Sequence, residues 1–77
     1  MTIGDRIKKL RKDRDMTQEE LAKCIDSKKQ TIYKYENNIV TNIPSDKIEK
    51  IAEALETTPS YLMGWDKVEQ DYQHSTY

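Results

Sequence analysis

The stretch Gln18 to Asn37, QEELAKCIDSKKQTIYKYEN, constrains the fold most, because it holds two short amphipathic segments separated by a break of three or four residues. Thr17 heads the first segment in a T-x-x-E pattern: its hydroxyl can accept from the backbone N–H three residues on while Glu20 reaches back. Leu21, Ala22 and Ile25 then fall at i, i+1 and i+4, a narrow apolar stripe that must face inward. The second segment, Lys28 to Glu36, has Ile32 and Tyr35 on one face and Lys28, Lys29, Gln30, Tyr33 and Lys34 elsewhere. Its outer surface is cationic, amide-bearing and free of acids, a chemistry suited to base edges and phosphates.

Aligned as a twenty-residue helix-turn-helix, the stretch puts Ala22 at the fifth position, where a small side chain lets two helices cross closely, with Leu21, Ile25, Ile32 and Tyr35 at the internal positions. In this it resembles the Xre/Cro/cI repressor family of phages and bacteria, and the resemblance runs from about Ile3 to Trp65, roughly four fifths of the chain. The segment TPSYLMGWD is similar to the end of the DNA-binding domain in prophage cI-like repressors. The resemblance implies an all-α, five-helix, lambda-repressor-like domain over residues 1–65, followed by a polar tail or linker over 66–77. It also implies sequence-specific binding of double-stranded operator DNA in the major groove, transcriptional repression, and a homodimer on a palindrome. Where the family usually has glycine at the turn this chain has Asp26, and where it has an aliphatic residue and serine this chain has Ser27 and Lys28. Asp tolerates the left-handed conformation, so the turn is expected to survive, with Ser27 or Asp26 rather than Lys28 capping the second helix. Asp15 and Asn38 stand at two further glycine-like positions.

Carried over by position, base reading falls to Lys29, Gln30 and Lys34, with Tyr33 beside them to pack on a thymine methyl or a sugar, or simply to cover the helix. Gln pairs bidentately with adenine, and Lys donates to guanine O6 and N7. Phosphate contacts fall to Gln18, Lys28, Asn37 and Thr31, the last facing partly inward. Arg11 is expected to pair with Glu36 and fix the recognition helix against the first helix.

At 77 residues the chain has room for one domain with a small core, burying about 60% of its unfolded surface. A lone Cys24 and a lone His74 make neither a disulfide nor a metal set, and no cofactor is expected. No apolar run approaches the ~20 residues of a membrane span and no signal pattern opens the chain, so the expectation is a soluble cytoplasmic protein with no membrane or small-molecule partner. The formal net charge of −1 argues against a nucleic-acid binder. The charges are uneven, however: residues 1–40 hold ten bases against seven acids, or +3, and residues 41–77 hold three against seven, or −4. A phosphate responds to the local field, and the positive half contains the motif.

Elsewhere, Thr2 caps a first helix from Ile3 to about Arg14, with Asp5 near its positive end. Ile3, Ile7 and Leu10 form its buried face; Arg6, Lys8, Lys9, Lys12 and Arg14 read structurally as a solvated surface, the commoner case, and functionally as a source of one or two phosphate contacts. Met16 is expected to plug the core. Residues 38–44 mix polar and apolar types; Ile39, Val40 or Ile43 anchors them, and exposure of Ile39 or Val40 would hint at a protein contact. Ser45, after Pro44, opens a fourth helix to about Leu55, with Ile48, Ile51, Ala52 and Leu55 inward and an outer face of Asp46, Glu49, Glu53, Glu56, Lys47 and Lys50. Thr58 caps a fifth helix with Pro59 first and Gly64 at its end, and Leu62 completes the core. Two rival classes are a protein-interaction module, or antitoxin or anti-repressor, using exposed Ile39, Val40, Met63 or Trp65, and an enzyme, for which no catalytic constellation is present.

Overall fold

The computed structural model describes residues 1–64. Trp65 and the tail from Asp66 to Tyr77, His74 included, lie outside the described residues. Five helices follow one another: α1 Ile3–Asp13, α2 Gln18–Cys24, α3 Lys29–Glu36, α4 Ser45–Ala54 and α5 Pro59–Met63. Among the described residues the fold is all-α, as expected.

The helix starts follow from local chemistry. At α1, Asp5 N–H donates to Thr2 Oγ1 and Thr2 N–H to Asp5 Oδ2, both 3.1 Å. At α2, Glu20 N–H donates to Thr17 Oγ1 at 3.0 Å and Thr17 N–H to Glu20 Oε1 at 2.8 Å. These are closed capping boxes. The backbone N–H contributed by each threonine holds the Asp5 and Glu20 carboxyls below their ordinary values. Thr58 Oγ1 likewise accepts from Tyr61 N–H at 3.1 Å, with Pro59 first in α5.

The helix ends show why so few glycines suffice. α1, α2, α3 and α4 each stop at a left-handed residue, Asp15, Asp26, Asn38 and Glu56, with φ of 53°, 56°, 59° and 55°. The next residue in each case donates back to the last turn: Met16 to Arg11 O, Ser27 to Ala22 O, Ile39 to Lys34 O and Thr57 to Ala52 O, at 2.8–3.1 Å. This is the Schellman pattern, normally completed by glycine. Glu56 was not expected there; two contacts from Arg14, to Leu55 O at 2.8 Å and to Glu56 Oε2 at 2.5 Å, hold that corner.

Ile7, Leu21, Ala22, Ile25, Ile32, Tyr35, Ile43, Ile51, Ala52, Leu55 and Leu62 form one core, with Ile3, Leu10, Met16 and Ile48 half-buried against it. Ile43, rather than Ile39 or Val40, anchors the 38–44 connection; Ile39 is 61% exposed. Gly4 permits the α1–α3 contact: a Cβ there would collide with Tyr35 O and come within 2.9 Å of Glu36 O.

Three bases assigned to solvated surface are otherwise engaged. Arg6 is buried and donates to Met1 O at 2.8 Å, Arg14 closes the α4 corner, and Lys47 Nζ donates to Ile25 O at 2.9 Å at the end of α2. Each long side chain lays its aliphatic stem along the body and finds a carbonyl that the helical pattern alone does not reveal.

Candidate nucleic-acid interface

α3 is eight residues long, and only Ile32, Tyr35 and Glu36 of it are buried. At about 100° per residue, Lys29, Gln30, Tyr33, Lys34 and Asn37 fall on the opposite stripe, and all five are exposed. Lys28 is exposed beside them and Thr31 is half-buried. The structure thus brings Lys28, Lys29, Gln30, Tyr33, Lys34 and Asn37 onto one surface, with Thr31 at its edge.

Two ties hold this helix to the body. Ile32 is fully buried, a contribution of about 1.5–3 kcal/mol for such a side chain. The second tie is a fork between Arg11 and Glu36: Nε to Oε2 at 2.6 Å and Nη2 to Oε1 at 3.1 Å. The Glu36 side chain is 0% exposed and that of Arg11 10%. Arg11 Nη1 also donates to Met16 O at 2.7 Å, so one guanidinium links α1, the following turn and α3. With its acid neutralised in this way, α3 presents no negative charge on its outer stripe.

Gln18, first residue of α2, joins the same network. Its Nε2 donates to Glu36 Oε1 at 3.1 Å, which orients the amide and leaves a second N–H for another acceptor. Asn37 Nδ2 donates to Tyr33 O at 2.8 Å, fixing that amide at the far end of α3. An open cleft of about 550 Å³ beside α2 and the start of α3 is lined by the acids Glu19 and Glu20 as well as by Arg11, Gln18, Lys23 and Lys29.

The start of α3 departs from expectation. Its cap is Lys28, not Ser27 or Asp26, and no side chain accepts from its first N–H groups. The reason lies upstream: Asp26 adopts the left-handed conformation and Ser27 N–H is spent on Ala22 O at 2.8 Å, so both residues end α2 rather than begin α3. The first turn of α3 also lacks an acid. Its unsatisfied N–H groups and the positive end of its dipole therefore lie beside the exposed Lys28 and Lys29, an arrangement that favours an anion.

A family model described as helix-turn-helix matches residues 7–62. No curated protein matches the sequence significantly. Among solved structures, the chain is similar to SinR, the master regulator for biofilm formation, in complex with DNA: 31% identity, TM-score 0.75, 79% of this chain and 97% of that one covered. It is also similar to the SinR/SinI complex, at 28% identity and TM-score 0.76, covering 96% of this chain and 81% of that one. The P22 c2 repressor bound to a synthetic operator shares the fold, with TM-score 0.80 at 23% identity, covering 84% of this chain and 97% of that one. Among the described residues, no helix is long and apolar enough to cross a membrane and no cluster of His, Cys, Asp and Glu has metal-binding geometry. With the two helices, their tight turn and the buried tie between α1 and α3 all in place, the chain belongs to the Xre/Cro/cI-type helix-turn-helix family.

Proposed function

We propose that this chain is a sequence-specific regulator that binds double-stranded operator DNA, with α3 in the major groove. The observation that carries the reading is the acid-free, amide-bearing and cationic stripe on a helix whose N-terminus is left uncapped. Family membership and the DNA-bound state of the similar SinR and P22 c2 structures support it.

Lys29, Gln30 and Lys34 contact base edges, with Tyr33 against a thymine methyl or sugar. Gln18, Lys28, Asn37 and Thr31 contact phosphates, Gln18 with the N–H that Glu36 leaves free. The binding unit is residues 1–65 and acts in the cytoplasm, by occupying its site rather than by catalysis. One such unit reads only a few base pairs, so the working form is a two-fold homodimer on half-sites roughly one helical turn apart, and its consequence is repression.

Selection of bound duplexes from a random pool, repeated with Gln30→Ala and Lys28→Ala, tests the assignment. Gln30→Ala relaxes preference at one base position, by about 1–3 kcal/mol of discrimination. Lys28→Ala weakens all sequences alike and lowers the salt slope by about one. Equal loss across every sequence for Gln30→Ala would remove its base-reading role.

A further inference from the structure

Gly4 lies in the first turn of α1, where the backbone does not require glycine: Gly64 is the one glycine with positive φ. By helix propensity alone, alanine would serve better there. The packing is what requires it. A Cβ built on Gly4 would collide with Tyr35 O and would lie 2.8 Å from Asn38 Oδ1 and 2.9 Å from Glu36 O, all inside the 3.4 Å at which ordinary contact begins. Two of these three atoms are backbone carbonyls in the last turn of α3, which no change of rotamer can move aside. The glycine hydrogen that takes the place of the Cβ points toward Tyr35 O, a weak C–H···O contact of the kind found where helices touch closely.

This contact sets the tilt of α3. Ile32, near the middle of that helix, is fully buried and serves as a pivot; Glu36 lies about 6 Å from it along the axis in one direction and Lys29 about 4.5 Å in the other. Lifting the last turn off α1 therefore swings the first turn, with Lys29 and Gln30, by a comparable amount in the opposite sense. It also draws the Glu36 carboxylate away from Arg11, whose Nε–H donates to it at 2.6 Å. α1 has less freedom to yield, because Ile7 and Arg11 are both buried and Arg11 is tied to Met16 O as well. We infer that Gly4 is a positioning residue for base reading: its missing side chain seats the last turn of α3 on α1 and thereby fixes the angle at which Lys29 and Gln30 meet base edges. This role rests on the proposed seat of α3 in the major groove, where a base-reading pair must be held to within about 0.5 Å of its productive geometry.

Gly4→Ala in the full 77-residue chain tests this role beside Ile51→Val, a core change on α4 that also lowers Tm. Duplexes selected from a random pool by the unaltered chain are compared with their single-base variants, at a temperature where every protein is folded. Gly4→Ala is expected to lower Tm, against its helix propensity, and to reduce discrimination at the base pair that Gln30 reads roughly tenfold, while affinity for unselected duplex changes less than about twofold. Ile51→Val leaves discrimination unchanged. Without DNA, hydrogen exchange at Arg11 Nε–H is expected to quicken in Gly4→Ala relative to Ile51→Val. Should Gly4→Ala not fold, the same comparison is made in Asn38→Gly, which removes the Asn38 Oδ1 contact and suits a φ of 59°. A raised Tm, unchanged discrimination or unchanged Arg11 exchange in Gly4→Ala would overturn the role. Failure of the unaltered chain to prefer any duplex would overturn the DNA assignment and base reading with it, leaving the Arg11 exchange as the measure of whether Gly4 seats α3.

Discussion

The starts of α2 and α3, only eleven residues apart, handle the same problem in opposite ways. Every α-helix leaves its first N–H groups without intrahelical partners. α2 closes that end itself, with Thr17 and Glu20 donating and accepting in a reciprocal box. α3 leaves it open behind Lys28, with no acid in its first turn. The closed end belongs to a helix that supports the body, and the open end to the helix with the exposed basic stripe. What α3 forgoes in local capping is made up by tertiary ties, Ile32 in the core and Glu36 on Arg11. Because α3 is held from behind by these ties, its front can remain unsatisfied without loss of the helix.

The largest test of this contrast removes the tie from behind. Glu36→Ala strands the Arg11 guanidinium in a buried setting and should cost about 3–5 kcal/mol, read by denaturant unfolding. It also frees the Gln18 amide, so DNA affinity should fall further than the stability loss alone explains. If Glu36→Ala were as stable as the unaltered chain, α3 would be held by its apolar face alone.

A smaller test closes the open end. Lys28→Ser installs a cap, which should stabilise the domain by about 1 kcal/mol while DNA binding weakens through loss of a cation and partial closure of the anion-favouring end. A gain in stability together with unchanged DNA affinity would break the link between the uncapped end and binding. Such opposed effects are the usual mark of a functional residue that departs from the locally optimal choice.

The smallest effect concerns the closed ends. Asp5 and Glu20 are held below their ordinary values by the capping N–H groups of Thr2 and Thr17, so their contribution is complete above the ordinary carboxylate range and is lost as pH falls through the lowered values. Glu20→Gln should flatten the acid side of the stability curve measured by thermal unfolding from about pH 6 to 2.

Much of this architecture was legible in the residues because it rests on local chemistry. The threonine caps, the apolar spacing of α1 and α4, and the left-handed Asp15, Asp26 and Asn38 each depend on neighbours within one or two turns. Of the features decided across the fold, the Arg11–Glu36 pair was expected through the family resemblance alone, and the others were not legible. Arg14 reaches the end of α4, 41 and 42 positions away, and there stabilises a left-handed Glu56 that no local rule would place. Arg6 and Lys47 carried the same surface signal as Lys8 and Lys50, yet they bond to carbonyls of Met1 and Ile25. Asp26 and Ser27 have the side chains of ordinary capping residues, yet their backbone is committed to ending α2, so the cap of α3 falls to Lys28. A glycine near the start of an otherwise favourable helix was the available hint of the close α1–α3 contact at Gly4.

Whether the open end and outer stripe of α3 meet DNA is read from backbone and side-chain amide NMR shifts of the isotope-labelled chain titrated with a selected duplex. The largest changes are expected on the Lys29 and Gln30 backbone N–H groups and on the side-chain amides of Gln18, Gln30 and Asn37. Changes confined to the acidic face of α4, with α3 unmoved at low salt, would contradict it.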